Sequence, residues 1–343
     1  MISAASLSLL LLSPALERQQ WAGRFAAMAR ALPPLSEGMR PARGRAYRRF
    51  YGLDSLRASW RLGSVPVSGE RIAVQVFRPR AAPSGTVIVI HGYLDHMGSY
   101  GSLVKRLLRE GYRVVLYDLP GHGLSTGPRA DLHSMEDYAK AFQAVRQAVE
   151  QLPAVPGPTH FVGHSTGASI LLNELHQGRP LQGNVVLLAP LVRWAHYRKS
   201  TIAKAVASLI INSVPRRFRR CSSDPAFMKF LREKDPLQQR RIPFGWLKAL
   251  SIWQAQFSKG KPFKKRLLVL QGTADGTVHW SHNLEVLSRR FPAAEVVRIE
   301  GADHHLVNER ADYRSTTLEA VAQALAQAPL STDRLDRGLQ RGK

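Results

Sequence analysis

The five residues Gly163-His164-Ser165-Thr166-Gly167 constrain this 343-residue chain more than any other stretch. They follow a β-like run, Thr159-His160-Phe161-Val162, and open a helix-like run that begins Ala168-Ser169-Ile170-Leu171. Strand, sharp turn and helix in that order form the setting in which G-x-S-x-G acts as a nucleophile elbow. The turn crowds the backbone so tightly that a Cβ at either flanking position would clash, hence the two glycines. Ser165 is then held above a sheet, where a base can reach its hydroxyl. Alone the pattern is weak, since three positions at ~7% each match by chance in about one chain in ten of this size. A glycine-rich turn without chemistry would look the same, so the rest of the chain has to decide.

A serine nucleophile needs a base, the base needs an orienting acid, and the developing oxyanion needs donors. With such an elbow, the order along the chain is Ser, then Asp or Glu, then His. Downstream, Arg266-Leu267-Leu268-Val269-Leu270 reads as a buried strand, and Asp275 sits in the loop that follows it. Glu295-Val296-Val297-Arg298-Ile299-Glu300 alternates like a strand and runs into Gly301-Ala302-Asp303-His304-His305. Upstream, the apolar strand Thr86-Val87-Ile88-Val89-Ile90 ends in His91-Gly92-Tyr93, where a second backbone donor would lie. Each piece falls at a strand end, the place where such sheets present functional groups.

With these pieces in order, the chain resembles the α/β-hydrolase superfamily, in the branch of monoacylglycerol lipases, lysophospholipases and serine aminopeptidase-like hydrolases. The matching stretches are His91-Gly92-Tyr93-Leu94-Asp95-His96-Met97-Gly98-Ser99-Tyr100 and Tyr117-Asp118-Leu119-Pro120-Gly121-His122-Gly123-Leu124-Ser125, with the elbow, the Asp275 loop and Gly301-Ala302-Asp303-His304. They span about residues 65–325. The resemblance implies an α/β-hydrolase fold: a mostly parallel central sheet, helices on both faces and a helical lid insertion. By position it implies Ser165 as nucleophile, Asp275 as acid and His304 as base, with the N–H groups of Tyr93 and Thr166 as oxyanion donors and Gly163 and Gly167 as elbow glycines. The sequence departs from the lipases at Thr166 and Ala168, where they often carry Met and Gly, and at His305, where Glu is common.

Other polar residues compete for these roles. His91, His122 and His164 read as structural histidines beside or beneath the loops, and Asp118 as a carboxylate that ties down loop N–H groups. Asp303 is the alternative acid and His305 the alternative base. No metal or other cofactor is expected, because no Cys/His cluster has ligand spacing and no glycine-rich phosphate motif is present. The lone cysteine, Cys221, excludes an intrachain disulfide.

Between the run Asn184-Val185-Val186-Leu187-Leu188-Ala189 and the strand at Leu267 lie residues that a core sheet does not need, and a basic helical lid is expected over 191–266. Two apolar stripes at helical spacing mark it: Ile202, Val206, Leu209, Ile210 and Val214, then Trp246, Leu247, Leu250, Trp253 and Phe257. Either stripe packs on the core, lines an acyl tunnel or meets a bilayer. The formal charge of the chain is +24. Residues 193–266 hold 19 Lys or Arg against the 3 carboxylates Asp224, Glu233 and Asp235. Basic side chains interleaved with large apolar ones suit contact with an anionic membrane. A solvated basic face is the plainer reading, and no motif supports specific nucleic-acid binding.

Residues 1–60 read as an amphipathic and basic extension. Within it, residues 2–12 are too few to span a bilayer, Trp21, Phe25 and Met28 share a helix side, and 40–49 are a basic linker. The core is expected over 61–190 and 267–326, with a disordered tail over 327–343. An uncleaved cytoplasmic chain, peripheral on the membrane at most, is the expected location. The expectation for function is hydrolysis of a carboxylic ester through an acyl-enzyme, with a monoacylglycerol or lysophospholipid as substrate. The alternatives are an aminopeptidase or amidase on the same triad, and a non-catalytic membrane-binding protein of the same fold.

Overall fold

The protein is described by a computed structural model covering residues 13–195 and 211–327. The expectations for residues 2–12, for the stripe at 202–210 and for most of the tail lie outside these residues. Among the described residues ten strands form: β1 (Ala58–Val67), β2 (Glu70–Pro79), β3 (Gly85–Ile90), β4 (Tyr112–Tyr117), β5 (Thr159–His164), β6 (Val185–Leu188), β7 (Ser213–Pro215), β8 (Arg241–Pro243), β9 (Leu268–Gly272) and β10 (Glu295–Ile299). Eight of them make one sheet in the order β1-β2-β4-β3-β5-β6-β9-β10. β1–β2 and β2–β4 are antiparallel and every later pair is parallel.

Apolar runs become strands buried on both faces because their side chains alternate between two cores. In β3, Ile88 and Ile90 enter one core while Val87 and Val89 enter the other, and β4 divides Val115 and Tyr117 from Val114 and Leu116 in the same way. Helices Met135–Glu150, Thr166–His176, Phe244–Lys259 and Trp280–Arg290 cover the first core, and Pro14–Arg30, Gly101–Arg109 and Ala311–Ala326 the second. Helix starts follow local chemistry: the Asp137 carboxylate returns to the Ser134 N–H at 3.0 Å, closing a capping box.

β1 and β2 are not part of the sequence reading. The signal for them is Ser68-Gly69, both at positive φ (49° and 85°), between two β-rich runs. That pairing is the signature of a tight hairpin. The extension is not a loose linker either. Residues 33–39 run beside β1, with Leu35 N–H on Ser64 O at 2.9 Å and Met39 N–H on Leu62 O at 2.6 Å. They cover a sheet edge that would otherwise be open to pairing. Within the basic run, Arg45–Phe50 is helical with Tyr47 fully buried. Phe25, Tyr47, Phe50 and Tyr51 form an aromatic cluster that reaches Phe230, 5.8 Å from Phe50.

Between β6 and β9 one part of the expected helical pattern is corrected. Val214 lies not on a helical face but in β7, opposite Ile242 of β8. A β-branched residue next to Pro215, which lacks an N–H, favours an extended pair over a helix. The aromatic stripe does form a helix, Phe244–Lys259, and it packs inward: Trp246, Leu247, Leu250, Trp253 and Phe257 are all buried. Trp253 Nε1–H donates to Asn173 Oδ1 at 3.1 Å, which fixes this helix to the one that follows Ser165. No helix among the described residues is long and apolar enough to cross a membrane.

Candidate active site

Ser165 stands between β5 and the helix Thr166–His176 with φ 53° and ψ −111°, a backbone region that costs an L-residue energy and persists only when surroundings enforce it. Its N–H donates to Leu188 O at 2.9 Å and its carbonyl accepts from Ser169 N–H at 3.1 Å. The elbow glycines are forced by close backbone approach. A Cβ on Gly167 would lie 2.2 Å from Ile90 O, and one on Gly163 would lie 2.6 Å from Ala168 N. Gly167→Ala should therefore abolish soluble folded protein, measured as monomer yield beside Gly276→Ala, where a Cβ meets nothing within 4 Å. Wild-type yield of Gly167→Ala would refute this packing.

Asp275 and His304 follow β9 and β10 and meet. His304 Nδ1 lies 2.8 Å from Asp275 Oδ2. An ionised carboxylate can only accept, so Nδ1 carries the proton and Nε2 keeps its lone pair. Asp275 also accepts from Thr277 N–H (2.8 Å), Val278 N–H (3.1 Å) and the Gln271 amide (3.1 Å). Burial works to raise its pKa, but the His304 ring and these hydrogen bonds hold the carboxyl below the usual range. The His304 loop rests against the residue before Ser165: His164 Nε2 is 3.1 Å from His304 O, and the two rings are 4.8 Å apart.

The loop after β3 reaches the elbow from the other side. A Cβ on Gly92 would come within 3.2 Å of Ser165 Cβ. Tyr93 follows, and its N–H has no hydrogen-bond acceptor among the described residues. Thr166 opens a helix, where the first N–H groups have no intrahelical partner. The Tyr93 ring stacks on Trp246 of the insertion at 3.5 Å between centroids.

The competing residues have other partners. Asp303 accepts from its neighbour's backbone N–H (2.9 Å) and pairs with Arg220 Nε (2.9 Å). His305 turns away from Asp275 and pairs with Asp95 Oδ2 at 3.0 Å. His91 Nε2 accepts from Leu119 N–H at 2.9 Å. Buried His122 contacts Pro120 O, and burial with His91 nearby lowers its pKa to about 3. Asp118 accepts from Met97 and Leu124 N–H, both at 2.7 Å, which is the loop-tying role its position suggested.

Asp95, His164 and His305 bring three potential metal-ligand atoms within 4.8 Å of one another. Spacing gives no hint of this group. Its atoms already have protein partners: His305 has Asp95, and His164 has Tyr100 OH (2.8 Å) and His304 O. Burial, followed by the neighbouring His305 and His304 rings, holds His164 well below its ordinary pKa. The trio is satisfied as a hydrogen-bond network.

A family model described as serine aminopeptidase, S33, matches residues 81–311. The chain belongs to this family. Among relatives of this α/β-hydrolase is a monoacylglycerol lipase of Mycolicibacterium smegmatis, 27% identical over 254 residues, covering 71% of this chain and 89% of that protein. The monoacylglycerol lipase structure of Paleococcus ferrophilus superposes with TM-score 0.63 at 22% identity, covering 74% of this chain and 98% of its own. A soluble variant of monoglyceride lipase from Saccharomyces cerevisiae, in complex with a substrate analogue, gives 0.65 at 19%, covering 78% and 96%. This α/β-hydrolase therefore falls in the monoacylglycerol-lipase-like branch of the superfamily.

Proposed function

We propose that the protein hydrolyses carboxylic esters through an acyl-enzyme, with a single-chain lipid ester, a monoacylglycerol or lysophospholipid, as substrate. The observation that carries the reading is the His304–Asp275 pair at 2.8 Å, presented at neighbouring strand ends against the Ser165 elbow. Ser165 Oγ attacks the carbonyl carbon as His304 Nε2 takes its proton. The carbonyl oxygen gains negative charge and accepts from the Tyr93 and Thr166 N–H groups. Collapse of the adduct breaks the bond to the alcohol, which leaves with the proton from His304. Water, deprotonated by the same ring, then attacks the acyl carbon; the acyl–Oγ bond breaks, the acid leaves, and His304 returns the proton to Ser165 Oγ. Asp275 holds the ring in the tautomer this sequence needs and stabilises the imidazolium.

The lipid preference rests on the Mycolicibacterium smegmatis relative and on Trp246 of the insertion, which stacks on Tyr93 beside the site. An aminopeptidase would need a carboxylate for the substrate ammonium. The buried carboxylates near the insertion have partners already: Asp95 has His305, Asp235 has His96, and Asp303 has Arg220. The discriminating assay sets p-nitrophenyl esters of graded chain length beside an aminoacyl p-nitroanilide. Ester turnover rising with chain length is expected, and cleavage of the anilide alone would overturn the reading.

The insertion is proposed to act as a lid whose outer face meets anionic membrane. Arg217, Arg219 and Arg241 are exposed on it, Arg241 while bonded to Ser213 Oγ (2.8 Å) and Ser213 O (2.9 Å), whereas Arg216 turns to Leu94 O, and Arg220, though also exposed, pairs with Asp303. Each exposed cation near an anionic surface contributes ~1 kcal/mol, within a screening length of only about 8 Å at physiological salt. Binding to anionic vesicles should be strong at low salt and weak by a few hundred millimolar. The triple change of Arg217, Arg219 and Arg241 to Ser should weaken it without altering turnover of a short soluble ester. Equal binding to neutral and anionic vesicles would refute this role.

A further inference from the structure

Tyr93 lies in a tight turn closed by Asp95 N–H on Gly92 O at 3.3 Å. The residue after it, Leu94, has φ 65°. β-Turns with positive φ at that position favour Gly or Asn, because a branched side chain there crowds the backbone. A leucine in this conformation must be held by its surroundings.

What holds it comes from the insertion. Arg216, at the end of β7, directs Nη1 to Leu94 O (3.1 Å), Gln238 Oε1 (2.9 Å) and Gln239 O (3.1 Å), its two hydrogens shared among three acceptors. Gln238 Nε2 in turn donates to Asp95 Oδ1 at 3.1 Å, so Arg216 and Gln238 grip two consecutive residues of the turn. Asp95 is braced further by Ser99 Oγ (2.7 Å) and His305 (3.0 Å). The guanidinium lies over Phe218, 4.5 Å from the ring centroid, with Arg240 at 4.9 Å from the same ring. A planar fork with several fixed donors suits this task in a way that a lysine ammonium does not.

We propose that Arg216 is a positioning residue for the oxyanion loop: by holding the Leu94 carbonyl it fixes the left-handed turn that aims the Tyr93 N–H at the reacting oxygen. The proposal rests on the acyl-enzyme reading above. It assigns to the insertion a part in the reaction itself, beyond covering the site. It also separates Arg216 from Lys234, an exposed cation of the same insertion that serves as the control.

The test uses the full chain and p-nitrophenyl butyrate, with a trifluoromethyl ketone that adds to Ser165 and carries the oxyanion, and a matching ether that cannot. Loss of one oxyanion donor costs roughly 10²–10³ in kcat, and a misaimed one less. Arg216→Met should therefore lower kcat by about 10- to 100-fold with KM within about threefold, as expected for an interaction made only in the transition state. Affinity for the ketone should fall by the same factor as kcat/KM, and affinity for the ether should hold. Arg216→Lys, which keeps charge and one donor, should lose about 3- to 10-fold, and Lys234→Met nothing. If Arg216→Met does not fold, the lysine variant decides on the same split. Wild-type kcat and ketone affinity, or equal losses for ketone and ether, would overturn the proposal. Wild-type protein run alongside separates the two failures: absence of fluorophosphonate labelling at Ser165 overturns the acyl-enzyme reading as well, whereas labelling with unaffected Arg216 variants overturns this inference alone.

Discussion

Ser165→Ala is expected to eliminate both fluorophosphonate labelling and ester turnover while leaving the fold intact. The side chain is small and 5% exposed, and the strained backbone at φ 53° is set by Gly163, Gly167 and the Leu188 contact, not by the hydroxyl. Alanine keeps the same Cβ, so the melting temperature should stay within a few degrees. Removing the nucleophile of a serine hydrolase costs on the order of 10⁶ in kcat, since the base, acid and nucleophile act as a unit. Labelling with a fluorophosphonate, followed by peptide mapping, measures the covalent step directly, and steady-state turnover of a p-nitrophenyl ester measures the cycle. Undiminished turnover in Ser165→Ala would remove the acyl-enzyme mechanism altogether.

The second large effect concerns the two adjacent histidines. His304→Ala should lose several orders of magnitude in kcat, because among the described residues no other ring is paired with Asp275. Asp275→Asn should lose on the order of 10⁴, the size seen when the orienting aspartate of a serine protease is replaced and the wrong tautomer is favoured. His305→Ala should behave differently. Its ring pairs with Asp95, 9% exposed or less on both side chains, so its removal leaves the buried carboxylate to Ser99 Oγ and the Gln238 amide, both on its other oxygen. Removing one hydrogen-bond partner of a buried polar group costs about 1–3 kcal/mol of stability, so the melting temperature should fall. Activity per folded molecule, counted by probe labelling, should remain within about tenfold of wild type. A stable His305→Ala with no activity would exchange the two roles.

Much of this site was legible before folding. Elbow, acid loop and base loop are each announced by an apolar run that ends in glycine and polar residues, and these are local signals. Period-2 alternation cannot be seen in strands buried on both faces, yet continuous β-branched runs such as Thr86-Val87-Ile88-Val89-Ile90 still mark them. The hairpin β1–β2 could have been read from Ser68-Gly69. The edge-covering run at 33–39 could not, because its partners, Leu62 and Ser64, lie some 25 residues further on and its own pattern is irregular. The insertion misled for the same reason. A basic run such as Arg216-Arg217-Phe218-Arg219-Arg220 looks uniform in sequence, but Arg216 finds Leu94 and Arg220 finds Asp303 across more than eighty residues.

By itself, then, the sequence determined the order of nucleophile, acid and base candidates and their position at strand ends. These follow from apolar periodicity, glycine punctuation and the steric demands of one turn, all of which act within a few residues. Tertiary structure alone decided which of two neighbouring rings meets Asp275 and which meets Asp95, because that choice depends on loops 29 and 210 residues away in the chain. It also decided which arginines of a basic run find partners far away in the chain. A buried polar atom must find a partner or lose the hydrogen bonds that water gave it, and the identity of that partner is set by packing that no short stretch encodes.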